Sequence, residues 1–271
     1  MKYDDLIAGM KRFGSTRRDI CVHGLGVTAE QVRENVVIAP WWEPDTLPGL
    51  GEARLLAVSA AQKIWDIQSG GTEMTYIKTG IGAPQCMDSL LPLGVTPCKR
   101  AVFIGSAGAL DAEIGIGDIV VPEYSVCGDG ASRYLSPDMA RDVFGEKAYP
   151  DPDMFARARA GTARICRENN VRWHVGRCFS IDTIFAQFAH IDAILATGCN
   201  VIEMETAAAF RAARLMGIPL AALFSVSDNT VTNKSLVSGR TPEEMEYRKF
   251  VRRELFPRII ASLFMEECAS A

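Results

Sequence analysis

Three polar side chains in the sequence each follow directly on a short apolar segment. They are Ser106 after 101–104, Glu205 after 200–203 and Asp228 after 219–226. In an open α/β sheet, ligands bind outside the carboxyl ends of the strands, so residues in these positions are candidates for a site. Carboxyl groups can accept hydrogen bonds from hydroxyls or exchange a proton, and a serine can bind an anion. We therefore expect one site, with Glu205 and Asp228 made neighbours by the strand–helix–strand unit 200–228.

The glycine-rich segment around Ser106 excludes one familiar cofactor. "GSAGAL", 105–110, resembles part of a dinucleotide fingerprint, but that fingerprint requires the glycine turn to open a helix. Here the turn leads into "DAEIGIGDIVV", 111–121, which ends in another predicted strand. We therefore predict no nicotinamide cofactor. A turn of this kind still offers backbone N–H groups and a hydroxyl to an anion or a hydroxyl group.

The junction "VIEMETAAAF", 201–210, carries two carboxylates, Glu203 and Glu205, where an apolar strand meets an alanine-rich helix. Carboxylates are favourable at a helix N-terminus because they complement the helix dipole. They are equally well placed to hold a ligand at the end of the strand. The pattern alone leaves both interpretations open for each residue.

The rest of the chain alternates between short apolar runs, typical of buried strands, and stretches with helical periodicity. Strands are predicted at 34–40, 74–82, 101–104, 117–126, 171–182, 200–203 and 219–226, and helices at 51–68, 83–94, 151–170, 205–217 and 241–256. Thr241 and Glu244 form a capping-box pattern for the last helix, which we expect Pro257 to kink or end. Alternating strands and helices predict an α/β fold. Without a repeat or a low-complexity linker, we predict one domain over residues 1–271.

Composition and charge exclude several classes of function. The 271 residues are 48% hydrophobic and 23% charged, with a net charge of −4 and no basic stripe, so we expect no nucleic-acid partner. No apolar run is long enough to span a membrane, and no signal peptide is apparent. The eight cysteines form no CxxC pair and lie mostly in apolar surroundings, which predicts buried, reduced thiols, no zinc site and a cytoplasmic protein.

Four motifs in order carry a resemblance to a known family. They are "GIGAP" at 80–84, "IGSAGAL" at 104–110 with "GDIVVP" at 117–122, "VIEMETAAAF" at 201–210 and "SVSDN" at 225–229. Together, from about residue 34 onward, they resemble the nucleoside phosphorylase/nucleosidase superfamily of purine nucleoside and uridine phosphorylases and their hydrolytic relatives. The resemblance implies a mixed, partly barrel-like sheet flanked by helices. It also implies dimer-based homo-oligomers, up to hexamers, with residues 1–33 as an N-terminal extension at a subunit interface.

The resemblance also implies roles for individual residues. Met204 and Glu205 match the pair that holds the ribose, and Glu203 is then left to point away or cap the helix. Asp228 matches the aspartate with which purine-cleaving members protonate the leaving base, so it favours a purine. The position that stacks on the base aligns with Ile184, and Phe185 is the nearest ring. His23 resembles the histidine lent to a neighbouring subunit's ribose.

The phosphate-binding residues of the family are mostly missing from this sequence. The arginine-containing loop after the first strand is replaced by "APWWEPDTL", 39–47, and a second arginine position holds Phe103. Ser106 remains, with its backbone neighbour Gly105. Arg133, Arg177 and Arg240 are candidate substitutes, and we interpret the charge run 246–254 as a solvated helix face. Trp41 and Trp42 either pack or wall a base pocket or an interface.

Three functions follow from the resemblance and these departures. The first is a nucleoside phosphorylase that uses phosphate as a cosubstrate and needs no metal or organic cofactor. The second is a nucleosidase, in which Glu43 would activate water while Glu205 and Asp228 keep their roles. The third is a nucleoside-binding protein without turnover.

Overall fold

One continuous mixed β-sheet forms the centre of the protein. The computed structural model describes residues 1–59 and 62–265. Ten strands of that part belong to the sheet. In chain order they are β1 (Asn35–Ala39), β2 (Glu52–Val58), β3 (Lys63–Ser69), β4 (Thr72–Lys78), β5 (Arg100–Ala109), β6 (Ile119–Gly128), β7 (Lys147–Ala148), β8 (Trp173–Ile181), β9 (Val201–Glu203) and β10 (Leu220–Asn229).

Five of these strands close into a barrel. β5 pairs with β10, β10 with β6, β6 with β8, β8 with β9, and β9 pairs back with β5. The remaining strands extend the sheet beyond β5 in the order β1, β4, β3, β2, while β7 pairs with β6. Parallel and antiparallel pairs are mixed around the barrel, so the predicted mixed, partly barrel-like sheet is confirmed.

Helices flank the sheet. They are α1 (Tyr3–Arg12), α2 (Arg17–Leu25), α3 (Ala83–Leu90), α4 (Pro152–Asn169), α5 (Ile184–Gln187), α6 (Ile191–Ala196), α7 (Thr206–Met216), α8 (Pro242–Phe250) and α9 (Phe256–Phe264). Of these, α3, α4, α7 and α8 lie on the segments predicted to be helical. The capping box of Thr241 and Glu244 forms as predicted, and Gly217 ends α7 in a left-handed conformation. A π-helical turn, Val251–Leu255, joins α8 to α9 just before Pro257.

The core lies on both faces of the sheet, as the alternation of side chains along β5 shows. Phe103 belongs to a cluster that includes α3 and α7, whereas its neighbours Val102 and Ile104 belong to a second cluster with α4 and α9. Successive side chains of a strand point to opposite faces, so a strand between two packed layers is apolar throughout. This arrangement holds β5 and β10 rigidly at the centre.

The prediction of a helix at residues 51–68 is wrong. Its described residues form β2 and β3, an antiparallel pair in which Arg54 lies opposite Asp66. Alanine and leucine gave the segment a helical pattern, but β3 buries Ile64 and Ile67 against the core while pairing with β4. Tertiary pairing of this kind overrides local propensity.

β5 and β10 also run further than their apolar segments suggested. β5 continues to Ala109 and β10 to Asn229, so Ser106 and Asp228 lie within the strands instead of beyond them. The two strands pair in parallel along this length, with Ser106 opposite Ser225 and Gly108 opposite Asp228. The glycine-rich segment is therefore held by strand pairing, which fixes its backbone next to the site.

Seven of the eight cysteines are buried as free thiols, in agreement with the sequence-based expectation, and Cys268 lies outside the described residues. In the described ranges, no helix has the length and apolar character needed to cross a membrane.

Candidate active site

A cavity of about 400 Å³ lies where β5, β9 and β10 meet. Six residues predicted for the site line it, namely Gly105, Ser106, Ile184, Met204, Glu205 and Asp228. The polar side chains among them are Ser106, Glu205 and Asp228, and the lining also includes Gln187, Glu203, Ser227 and Arg248. Apolar walls from Ile181, Ile202 and Phe224 complete the space, which leaves room for a ligand with a flat apolar part and several polar groups.

Glu203 caps helix α7, as the sequence interpretation proposed. Its Oε2 accepts hydrogen bonds from the backbone N–H groups of Glu205 and Thr206, both at 2.7 Å. Its Oε1 accepts from the hydroxyls of Ser180 and Ser125. Four donors satisfy this buried carboxylate and favour its ionised form, although burial has the larger effect and raises the pKa of Glu203 above its ordinary value.

Glu205 is the carboxyl group left facing the cavity. It is 5% exposed, and its Oε1 accepts a 2.6 Å hydrogen bond from the backbone N–H of Gly82. Burial and the neighbouring Glu203 raise the pKa of Glu205 from 4.5 to about 8. Glu205 has one donor where Glu203 has four, so Glu205 is the member of the pair that holds a proton most readily.

Gly82 has a backbone conformation that only glycine adopts easily, with φ +101° and ψ 148°. We expect Gly82→Ala to strain this turn by about 1–3 kcal/mol and to move its N–H away from Glu205, lowering activity. Gly145→Ala is the matched control, because Gly145 also has a positive φ (+81°) and open space around it but lies away from the cavity. Comparable melting temperatures with activity lost only in Gly82→Ala would support the contact, and equal activity in both variants would contradict it.

Asp228 reaches the cavity through an irregularity in β10. The register with β5 shifts between Val226 and Asp228, so Ser227 is an extra residue that turns the Asp228 side chain towards the cavity. Ser227 Oγ donates to Asp228 Oδ1 at 2.6 Å. A Cβ on Gly108 would lie 3.0 Å from Asp228 Oδ2, so a glycine there leaves room for the carboxyl group. Burial raises the pKa of Asp228 above its ordinary value, which favours a proton donor.

Arg248 is a site residue that the sequence interpretation missed. It lines the cavity from α8, and its Nη2 donates a 2.7 Å hydrogen bond to Ser106 Oγ. The interpretation of 246–254 as a solvated face is therefore wrong for Arg248. A signal was present, because Arg248 stands three residues before Val251 and seven before Leu255, both buried, and so lies on the inward face of the helix.

The aromatic residues beside the site are arranged differently from expectation. Phe185 is 94% exposed and is not part of the cavity lining, whereas Ile184 is. Trp41 lines the opening of the cavity, and Trp42 is buried edge-on against Phe256. Trp41 therefore contributes to the cavity wall, whereas Trp42 belongs to the hydrophobic core.

Comparison with known proteins decides the family. The profile described as "Phosphorylase superfamily" matches residues 20–253, most of the chain. The chain belongs to the phosphorylase superfamily. The family and the enzyme class predicted from the sequence are thereby confirmed.

Individual relatives of the superfamily are distant. A guanosine phosphorylase from Halorubrum lacusprofundi is 29% identical over 182 residues, covering 66% of this chain and 71% of that protein. A purine nucleoside phosphorylase, DeoD-type, from Streptococcus pyogenes is 25% identical over 164 residues. That match covers 59% of this chain and 64% of the relative, so the chain spans less than two thirds of the relative's length. A solved uridine phosphorylase from Vibrio fischeri has a TM-score of 0.69 at 22% identity, covering 86% of this chain and 91% of that one, and shares the fold.

Within this superfamily member, two further predicted site residues, Glu43 and His23, also lie away from the cavity lining. Glu43 Oε1 accepts from Lys63 Nζ at 2.8 Å and from Lys78 Nζ at 2.7 Å, and these lysines hold the pKa of Glu43 below its usual value. His23 is exposed in a separate groove beside Gln62. Within a single chain, therefore, neither Glu43 nor His23 lies in the cavity that contains Asp228 and Glu205.

The three arginines considered as substitutes for the superfamily's missing phosphate residues also have other partners. Arg133 lies 3.9 Å from Asp142, and Arg177 donates to the carbonyl of Gly198. Arg240 donates to the carbonyls of Ser227 and Leu236. Among these candidates only Arg240 lies near the cavity, and its donors hold the loop before α8.

Proposed function

We propose that the protein is a nucleoside phosphorylase that cleaves the N-glycosidic bond of a purine-type nucleoside with inorganic phosphate. The products would be the free base and ribose 1-phosphate. The observation that carries the proposal is the placement of Glu205, Met204 and Asp228 around one cavity, which Ser106 on β5 also lines. Membership of the phosphorylase superfamily supports the same reaction.

Glu205 and Met204 would hold the sugar. An ionised Glu205 can accept hydrogen bonds from two neighbouring hydroxyls, and the Met204 side chain offers an apolar contact to the ring face. The sugar acquires positive, oxocarbenium-like character as the bond to the base breaks. A fixed carboxylate in a buried site stabilises that charge in the transition state more than it stabilises the neutral substrate.

Asp228 would act on the base. The reaction breaks the bond between C1′ and the base nitrogen, whose electron pair leaves with the base, while a phosphate oxygen forms the new bond to C1′. A proton from the Asp228 carboxyl would pass to N7 of the purine and neutralise the departing charge. The names of the guanosine and purine nucleoside phosphorylases among the relatives support a purine.

The proposal is tested by base release from inosine, guanosine, adenosine, uridine and methylthioadenosine, each with and without phosphate. We expect release from the purine nucleosides that depends on phosphate and yields ribose 1-phosphate. Equal release without phosphate would identify a hydrolase and overturn phosphorolysis. Preference for uridine would overturn the purine assignment, and tight binding without release from any substrate would overturn catalysis.

We further propose that the enzyme assembles from dimers, with His23 lent to the neighbouring copy's ribose site. The exposed position of His23 in a groove with Gln62 and Asp88 supports this role. Light scattering gives the oligomeric state. A monomeric, fully active enzyme would contradict the proposal.

A further inference from the structure

We propose that Arg248 is the cation that binds phosphate in this enzyme, together with Ser106 and the backbone next to it. The inference rests on the proposed phosphorolysis and names the residue that replaces the arginines missing from the sequence. Ser106 is the one side chain of the expected phosphate set that the sequence retains, and Arg248 Nη2 donates to its hydroxyl at 2.7 Å. The cation therefore comes from α8, at the far end of the chain.

The hydrogen-bonding state of Arg248 favours the binding of an anion. Its Nε is buried and has no hydrogen-bond partner, and within residues 1–59 and 62–265 no carboxylate lies within 4 Å of its guanidinium. A guanidinium has five N–H donors, of which one is used here, on a neutral hydroxyl. Taking an arginine out of water without an anion is costly, so an anion in the adjacent cavity would satisfy both its charge and its donors.

Neighbouring charges strengthen this argument. Burial, followed by repulsion from Arg252 and Arg240, lowers the pKa of Arg248 to about 10, and Asp228 only partly opposes the effect. The guanidinium of Arg252 lies over the ring of Trp42, 5.7 Å from its centroid. The guanidinium of Arg240 donates hydrogen bonds to the carbonyls of Ser227 and Leu236, so both positive charges are fixed in position. The electrostatic potential beside Ser106 is therefore positive, which favours an anion there.

The position of this cation suits attack on the sugar. Ser106 and Gly108 are two residues apart on β5, about 7 Å along an extended strand. Asp228 lies opposite Gly108. An anion at Ser106 and a base at Asp228 would therefore lie at opposite ends of a gap about as wide as a pentose ring, in the cavity that Glu205 also lines. The reacting phosphate oxygen and the leaving base are thus placed on different sides of the sugar.

The experiment measures inorganic phosphate binding directly by isothermal titration calorimetry, without nucleoside, and then measures KM for phosphate and for inosine. We expect Arg248→Gln to weaken phosphate binding by about 10- to 100-fold, as for loss of hydrogen bonds to a charged group. The KM for inosine should change far less. Arg248→Lys should fall between, because lysine keeps the charge but loses the fork of donors. Lys249→Gln, an exposed cation on the same helix, is the control and should behave like wild type.

The outcomes separate this inference from the proposed function. Wild-type phosphate affinity in a folded Arg248→Gln, or a wild-type protein that binds no phosphate, would overturn the role of Arg248. If Arg248→Gln does not fold, loss of phosphate affinity in Arg248→Lys and in Ser106→Ala supports the role, and unchanged affinity in both overturns it. If phosphate binds through Arg248 but no nucleoside is cleaved, or is cleaved equally without phosphate, the anion site stands and the proposed phosphorolysis fails.

Discussion

Glu205→Gln is expected to remove nearly all base release while making the folded protein more stable. Glutamine is nearly the same size and still accepts the hydrogen bond from Gly82, so the site keeps its shape. It cannot supply the negative charge that faces the sugar in the transition state. Loss of one preorganised electrostatic group of this kind typically costs about 10²–10³-fold in kcat.

The stability gain follows from the pKa of Glu205, which burial and Glu203 raise from 4.5 to about 8. Between these values the unfolded chain has released the proton while the folded protein retains it, so the free energy of unfolding falls as the pH rises. The free energy of unfolding of the wild type thus falls between pH 4.5 and 8. Glutamine does not titrate, so this contribution is absent from the variant. Each tenfold change in the protonation equilibrium is worth about 1.4 kcal/mol, so the gain above pH 8 should be of the order of a few kcal/mol.

Urea unfolding at pH 5 and pH 8.5, with kcat/KM measured over the same range, checks both parts. For 7-methylguanosine, whose base leaves without a proton from Asp228, wild-type kcat/KM should rise with pH and level off near 8, as Glu205 ionises in the free enzyme. Glu203→Gln should shift this rise in kcat/KM to lower pH, because it removes the carboxylate whose charge raises the pKa of Glu205. A glutamine variant that is active, or no more stable than wild type at pH 8.5, would contradict the assignment.

Asp228→Asn is expected to slow purine nucleoside cleavage by about 10²–10⁴-fold with little change in binding. The amide keeps the volume beside Gly108 and can still accept from Ser227, but it has no acidic proton to donate. kcat should therefore fall while the dissociation constant for the nucleoside changes only a few-fold.

A substrate with a better leaving group provides the internal control. The leaving groups of 4-nitrophenyl riboside and of 7-methylguanosine depart without being protonated. The Asp228→Asn variant should therefore cleave these substrates at close to the wild-type rate. Ser227→Ala, which removes the hydrogen bond but not the acid, should have a much smaller effect on inosine. Equal losses on inosine and on 7-methylguanosine would show that Asp228 does not act as the acid.

The polar lining of the cavity was predictable because its residues lie next to apolar strands that only a buried sheet accommodates. Glu205 and Asp228 belong to one strand–helix–strand unit, so their proximity follows from local connectivity. Glu203 was also interpreted correctly, since a carboxylate just before a helix, here three residues ahead of its first residue, can accept hydrogen bonds from the free N–H groups of the first turn.

The remaining features depend on distant parts of the chain. Arg248 contacts a serine 142 residues earlier, and no local pattern specifies which cation of a charged helix turns inward to that serine. The extra residue at Ser227 is set by pairing with β5, and the β2–β3 pair by pairing with β4. Glu43 follows the first strand as expected, but two lysines from β3 and β4 neutralise it.

The closed ring of β5, β10, β6, β8 and β9 has a consequence for how such an enzyme can diversify. Strands that pair on both sides cannot shift individually, so Glu205, just after β9, and Asp228, on β10, keep a fixed separation. Arg248 stands outside this ring, on a helix joined by a π-turn to α9. π-turns often mark functional positions in helices. If Arg248 binds phosphate as proposed, the choice of nucleophile can be altered by changes in one peripheral helix, while the barrel that carries Glu205 and Asp228 stays unchanged.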